Sequence, residues 1–188
     1  VVISPGQESV VAYAQTHFDH VDFAMQHDPQ GTADAVKATH EVLSAAEGTV
    51  LVAFGDVPFV SPSTFGKMHK GIEDGADIVV LGFNAQDPSG YGRLVMAADG
   101  GLERIVEHKD ASEAERSLSL CNGGAMAVRA THLFDLLGQV NCDNAAGEYY
   151  LPDLVSLGNA QGLSCEVVIG LEEEVLGVNS RIDLAVAE

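Results

Sequence analysis

Asp56 follows an apolar run directly, in Phe54-Gly55-Asp56-Val57-Pro58. Open α/β sheets bind their ligands beyond the carboxyl ends of the strands. A single carboxylate there suits Mg²⁺, which takes one or two protein carboxylates and fills its shell with substrate phosphates and water. The same residue in the same place also serves as a cap on the following turn or helix. Asn179, in Val178-Asn179-Ser180-Arg181, has the same two readings: part of a helix cap, or an amide oxygen that completes a Mg²⁺ shell. A second constellation is Gln26-His27-Asp28-Pro29-Gln30-Gly31-Thr32. Gln26 offers a donor and an acceptor, as needed to read the edge of a base or an amide. Gly31 lets backbone approach a flat ring, and Thr32 either caps a helix or touches a ligand. A third set is spread over several turns. Gly92 opens a strand in Gly90-Tyr91-Gly92-Arg93, and Glu107 and Lys109 close one in Val106-Glu107-His108-Lys109-Asp110. Glu107 could bind sugar hydroxyls and Lys109 could neutralise phosphate; the plain alternative is an exposed strand end. Asn122 is a turn former or an amide that reads a hydroxyl, and Tyr150 of Gly147-Glu148-Tyr149-Tyr150 packs or binds.

The elements that carry these residues alternate. Val1–Ile3 and Val21–Met25 read as strands, Gln7–His17 as a helix, and Thr32–Leu43 as one helix with apolar residues three and four apart. Thr49–Phe54 and Asp77–Phe83 are near-continuous apolar runs, as expected of strands covered on both faces. Ser63–Ile72 reads as a helix between them. This alternation predicts an α/β fold with a mostly parallel sheet and helices on both faces. Between residues 85 and 123 turn signals surround two short strands, Arg93–Met96 and Leu102–Val106, which predicts a small antiparallel insertion lobe in a single domain covering residues 1–188. Beyond it come a strand at Gly124–Val128, helices at Thr131–Leu137 and Tyr149–Leu157, a strand at Cys165–Ile169, and a terminal helix at Ser180–Ala187 opened by a Ser180/Asp183 capping pair.

Composition narrows the function classes. The chain has 188 residues, 46% hydrophobic and 20% charged, with a formal net charge of −19. That is globular, and the charge argues against nucleic acid or anionic membrane as a partner. Arg93, Arg104 and Lys109 are notable because cations are scarce. Three widely spaced cysteines with no CxxC pair indicate neither a zinc site nor a disulfide framework, and a reduced, cytoplasmic setting is expected. No glycine-rich dinucleotide fingerprint, phosphate loop or nucleophile elbow occurs. No segment reads as a membrane span or a signal peptide, and the opening Val1-Val2-Ile3, which lacks a Met, reads as a strand entered midway.

Taken in order, Gln26 with Gly31-Thr32-Ala33-Asp34-Ala35, Gly55-Asp56-Val57-Pro58, Asp87–Arg93, Ile105–Ala111, Asn122-Gly123, Gly147–Tyr150 and Gly177-Val178-Asn179 resemble the uridylyltransferase (pyrophosphorylase) domain of bifunctional bacterial N-acetylglucosamine-1-phosphate uridylyltransferases. The resemblance spans nearly the whole chain, and seven motifs in one order make it specific. It implies a Rossmann-like fold of the nucleotide-diphospho-sugar transferase type. It implies Mg²⁺-dependent uridylyl transfer from UTP to N-acetylglucosamine 1-phosphate, a step toward cell-wall precursors. By the same resemblance Gln26, Gly31 and Thr32 hold the uracil, and Asp56 and Asn179 ligate Mg²⁺. Gly92, Glu107, Asn122 and Tyr150 hold the acetylated amino sugar. Asp56 and Lys109 are the residues expected to serve catalysis, Lys109 by neutralising phosphate. The chain departs from the family in lacking its opening glycine-rich basic loop and its C-terminal β-helix. It also has Pro152 in place of a Thr, and Pro29-Gln30 in place of a Gln-Leu pair. Those departures keep two alternatives open: a different sugar 1-phosphate or nucleotide such as CTP, and a non-catalytic binding fragment.

Overall fold

Ile78 to Phe83 shows no polar alternation because no face of it meets water. In the structure, a computed structural model that describes residues 1–187, Ile78, Val79, Val80, Leu81 and Phe83 are all fully buried. They lie in β4 (Ile78–Asn84), at the centre of a six-stranded sheet. The remaining strands are β1 (Val2–Ile3), β2 (Ala24–Met25), β3 (Thr49–Val52), β5 (Arg93–Met96), β6 (Leu102–Val106), β7 (Leu120–Arg129) and β8 (Cys165–Ile169). The helices are α1 (Glu8–His17), α2 (Thr32–Lys37), α3 (His40–Leu43), α4 (Pro62–Glu73), α5 (Glu113–Arg116), α6 (Ala130–Leu137), α7 (Asp153–Ala160) and α8 (Arg181–Ala187), with a 3-10 turn at Glu172–Val175. Among the described residues no helix is long and apolar enough to cross a membrane.

Alternate β4 side chains serve two cores, as the two-residue period of a strand requires. Ile78 and Val80 face Leu133, Leu136 and Leu137 of α6 and Leu154 and Val155 of α7. Val79, Leu81 and Phe83 face Met68 and Ile72 of α4. Helices therefore cover both faces, as the α/β pattern predicts. Strand polarity departs from the mostly parallel expectation. In the main sheet only β4 and β8 pair in parallel, while β7 runs antiparallel to β3, β4 and β5, and β5 to β6. The second parallel pair, β1 and β2, forms a separate two-stranded sheet. Strand direction depends on how the connections cross over, and apolar runs carry no record of it.

Three boundaries also differ. The 49–54 run ends as a strand at Val52 and is not covered on both faces: β3 lies outside β7, and Leu51 is 43% exposed. The 32–43 helix breaks in two where Thr39 donates its hydroxyl to the Val36 carbonyl (2.7 Å), a local bond that competes with helix continuation. The 149–157 helix begins only at Asp153, with Pro152 preorganising its start. Residues 149–151 are held out of the helix by bonds to residues 30–33 described below.

If β3 is a half-open edge, truncating it is cheap and truncating the α6 seam is not. Leu133→Ala should cost about 2–5 kcal/mol of unfolding free energy, and Leu51→Ala less than about 1 kcal/mol, compared by urea denaturation. Equal losses would mean that β3 is covered after all.

Candidate functional site

β7 changes partner along one of its edges. Its first residues meet β5, with Cys121 opposite Arg93, and its last four meet β3, from Met126 opposite Val52 to Arg129 opposite Thr49. Between them, after Asn122 bonds back to Gly92, no strand among the described residues pairs with Gly123–Gly124 on that edge, and a cavity of about 520 Å³ opens there. Sheets take ligands where strand connections diverge in this way. Chain leaving β3 supplies Phe54 and Asp56 to its wall, chain entering β5 supplies Ser89–Gly92, chain leaving β6 supplies Glu107, and the segment before α8 supplies Gly177 and Asn179.

Asp56 and Asn179 are far apart in sequence, and a backbone bond brings them together: the Val178 N–H donates to the Asp56 carbonyl at 2.7 Å. The segment carrying Asn179 is secured on both sides. Upstream, the Glu174 carboxylate accepts from Ser61 N (3.0 Å), Thr64 Oγ1 (2.8 Å) and Leu171 N (3.1 Å), so it grips the N-terminus of α4. Hydrogen bonding from Ser61, then Leu171 and Thr64, pulls its pKa down to about 2, and the helix dipole favours a negative charge in that position. Next to it Val175 is buried in the α4 core. Downstream, Ser180 Oγ accepts from Asp183 N (3.2 Å) and the Asp183 carboxylate accepts from Asn179 N (3.0 Å). The expected Ser180 cap is present, but the Asp183 carboxylate returns to residue 179 rather than to Ser180. Those bonds, from Ser180 first, lower the Asp183 carboxyl below its usual range.

Asp56 offers a carboxylate and Asn179 an amide, both with hard oxygen atoms, and the Asp183 carboxylate lines the same cavity. Among the described residues no three His, Cys, Asp or Glu side chains gather into a metal cage. This fits Mg²⁺, which keeps open positions for phosphate and water, and does not fit a structural zinc site.

The opposite wall is built by the β5–β6 hairpin. Its register, Arg93 opposite Val106, sets Gly92 against Glu107, and a Cβ at residue 92 would lie 3.1 Å from Glu107 Oε1. A side chain there would press the carboxylate aside by a few tenths of an ångström. Asn122 donates its N–H to Gly92 O (2.9 Å), and its own Oδ1 accepts from Gly124 N (3.1 Å), so it forms the turn and lines the cavity together. Burial first, then the nearby charges of Asp110 and Asp153, raise the Glu107 carboxyl above its usual range. Tyr150 is half-buried outside the cavity wall; burial, then Asp110 and Glu107, raise its phenol. Lys109 is exposed in the turn after Glu107 and does not line the cavity. Arg93 is turned inward and only 1% exposed; its guanidinium donates to the Tyr91 and Arg116 carbonyls, and its Nε has no partner.

Gln26, Gly31 and Thr32 are not in this cavity. Gln26 follows β2 and lines another, of about 410 Å³, with Gln30, Asp34 and Lys37. The space left by Gly31 (φ +124°) is filled by protein: a Cβ there would sit 2.5 Å from the Tyr149 carbonyl oxygen. Around it Tyr149 N donates to Gln30 O (2.8 Å), Ala33 N to Tyr149 O (2.9 Å) and Leu151 N to Thr32 Oγ1 (2.9 Å). Thr32 thus neither caps α2 nor stands free. The Lys37 ammonium lies 4.5 Å from the centre of the Tyr149 ring. These bonds join the Gln26 loop to residues 149–151, and through Tyr150 to the surroundings of Glu107. Sequence reasoning missed the Glu174 clamp, whose partners are remote in the chain, and Asp34, whose partner is Gln26; only Asp183 carried a signal, as a capping residue.

A family model described as nucleotidyl transferase matches residues 5–136. The chain is 50% identical to the "Bifunctional protein GlmU" of Parvibaculum lavamentivorans and 49% identical to that of Roseobacter denitrificans, with the whole chain aligned to 41% of each protein. It therefore spans about two-fifths of the length of these relatives. Among solved structures, the nucleoside-diphosphate-sugar pyrophosphorylase from Vibrio cholerae RC9 superposes with a TM-score of 0.72 at 17% identity, over 98% of this chain and 77% of the other; that likeness concerns the fold. A crevice where β7 changes partner, together with a family match over most of the chain, leads to one conclusion: the chain belongs to the nucleotidyl transferase family.

Proposed function

We propose that this chain carries uridylyl transfer from UTP to N-acetylglucosamine 1-phosphate, giving UDP-N-acetylglucosamine and pyrophosphate. The observation that carries the reading is the convergence of Asp56 and Asn179 with Gly92, Glu107 and Asn122 on one cavity. An oxygen of the sugar phosphate attacks the α-phosphorus of UTP; the new P–O bond forms as the bond to the β-phosphate oxygen breaks, and pyrophosphate leaves with the electron pair. Such transfers depend on positioning and on stabilising charge. Asp56 and Asn179 would hold a Mg²⁺ ion, which when bound neutralises phosphate oxygens. The acidity of the wall supports this: among the described residues it is lined by Asp56, Glu107 and Asp183 and by no Lys or Arg. Glu107 would accept hydrogen bonds from sugar hydroxyls, Asn122 would read the acetamido or hydroxyl groups, and the Gly92 backbone would let the ring approach. Gln26 would face the base, with Gly31 and Thr32 shaping its loop through their bonds to residues 149–151.

Asp56→Ala should lower Mg²⁺-dependent pyrophosphate release from UTP and N-acetylglucosamine 1-phosphate by at least about 100-fold, the scale of losing one electrostatic stabiliser. Undiminished turnover would remove Asp56 from the mechanism. A panel of four nucleotides and several sugar phosphates tests the substrates, and a preference for another pair would overturn this assignment while leaving nucleotidyl transfer intact.

Glu107 connects function to stability. Its folded pKa is raised above the ordinary 4.5, so below that value the protonated group costs folding nothing. As pH climbs through the raised value, the buried charge costs stability, and the cost then levels off. Glu107→Gln should therefore weaken sugar-phosphate binding yet raise the unfolding midpoint at pH 7, with the gain gone by pH 4. Each kcal/mol of relief is worth about 2–4 °C in a chain of this size, readable by calorimetry at the two pH values. A gain of equal size at both would refute the electrostatic account.

A further inference from the structure

The side-chain amide of glutamine can present either its oxygen or its amino group, and a free one turns to suit its ligand. Gln26 does not have that freedom. It is 9% exposed, and both of its side-chain hydrogen bonds run from Nε2, to Asp34 Oδ2 at 2.6 Å and to Gly31 O at 3.3 Å. Both partners are pure acceptors. A flipped amide would set Oε1 against a carboxylate and a carbonyl, so the structure fixes which atom is nitrogen. Gln26 Oε1 accepts no bond from the described residues and is not among the fully buried polar atoms left without a partner, and Gln26 lines a cavity with Asp34 and Lys37. Asp34 is itself held, since its Oδ2 also receives the Gln30 N–H at 3.4 Å.

We infer that Asp34 is a specificity-determining positioning residue that locks the Gln26 amide with its oxygen outward, making the base site an acceptor that selects a pyrimidine with an N3–H. This rests on the reading above that Gln26 faces the base. Uracil carries a proton on N3 and cytosine a lone pair. A fixed acceptor gains a hydrogen bond from uracil and meets a repelling lone pair in cytosine seated the same way, whereas a freely turning amide would accept both. A site that insists on one polar partner rejects the analogue lacking it, because the buried group is then left unpaired. In this arrangement Asp34 acts through the orientation of Gln26.

The test titrates ¹⁵N-labelled chain with UTP and with CTP, each with Mg²⁺, in the wild type, Asp34→Ala, Asp34→Asn and Gln26→Ala. In the wild type the Gln26 side-chain NH₂ should be protected from hydrogen exchange; in Asp34→Ala that protection should fall, whether or not nucleotide is present. The ratio of UTP to CTP affinity should fall about tenfold in Asp34→Ala, the equivalent of one hydrogen bond, mainly through tighter CTP binding. Asp34→Asn, which can accept from Gln26 or donate to its flipped form, should lie between. A purely structural role for Asp34 would weaken both nucleotides together and leave the ratio within twofold of wild type, which would overturn the inference. So would unchanged protection of the Gln26 amide in Asp34→Ala. If Gln26→Ala binds UTP as well as the wild type does, the assignment of the base to Gln26 fails, and the specificity claim fails with it, while the exchange data still report whether the lock exists.

Discussion

A single backbone hydrogen bond, from Val178 N–H to the Asp56 carbonyl, joins the two halves of the proposed metal grip. Everything around it holds its two ends still. Asp56 is placed by β3, whose register on β7 is set four residues long. Val178 is placed by the Glu174 clamp on α4 and by Val175 in the core beneath. Two flexible segments would sample many separations, and ordering them would have to be met out of the ligand's binding energy. Here that ordering is completed by folding, with charge-assisted bonds at one side and a helix cap at the other.

Charge distribution completes the picture. With a net charge of −19, cations might be expected to gather where phosphates are to be bound, and they do not. Arg93 is buried behind the β5 turn, Arg129 pairs with Asp77, and Arg104 bridges Glu103 and Glu115. The three arginines brace strands and loops, and the cavity wall remains acidic. The proposed chemistry then depends on a divalent ion to reverse the local sign, and the two residues offered to it are the ones the fold takes most care to bring together.

Much of this was legible in the sequence. Arg93–Met96, Leu102–Val106 and Cys165–Ile169 are strands with the expected ends because turn residues or a change to polar composition bracket them. The residues proposed for metal and sugar lie at element ends with small neighbours, and such spacing survives in one dimension. Other features were hidden because their causes are not local. Residues 149–151 read as helical in the sequence, and their backbone N–H groups are turned instead to the Gln30 carbonyl and the Thr32 hydroxyl. The polarity of the sheet depends on crossovers. Arg93 stood out in the sequence only as one of few cations, and its bonds to the Tyr91 and Arg116 carbonyls show that it turns inward. Gly31 read as room for a ligand and proved to be room for the chain itself.

That contact between residue 31 and the Tyr149 backbone also bears on how such a sequence can change over time. No side chain fits between the two loops, and the partners on each side are main-chain atoms, which no substitution can trim to compensate. A replacement at position 31 would have to be accompanied by a shift of the whole 147–151 stretch, and with it Tyr150 and the approach to Glu107. The loop proposed for the base and the loop beside the proposed sugar pocket are thus tied into one unit, so that a change in one carries over to the other.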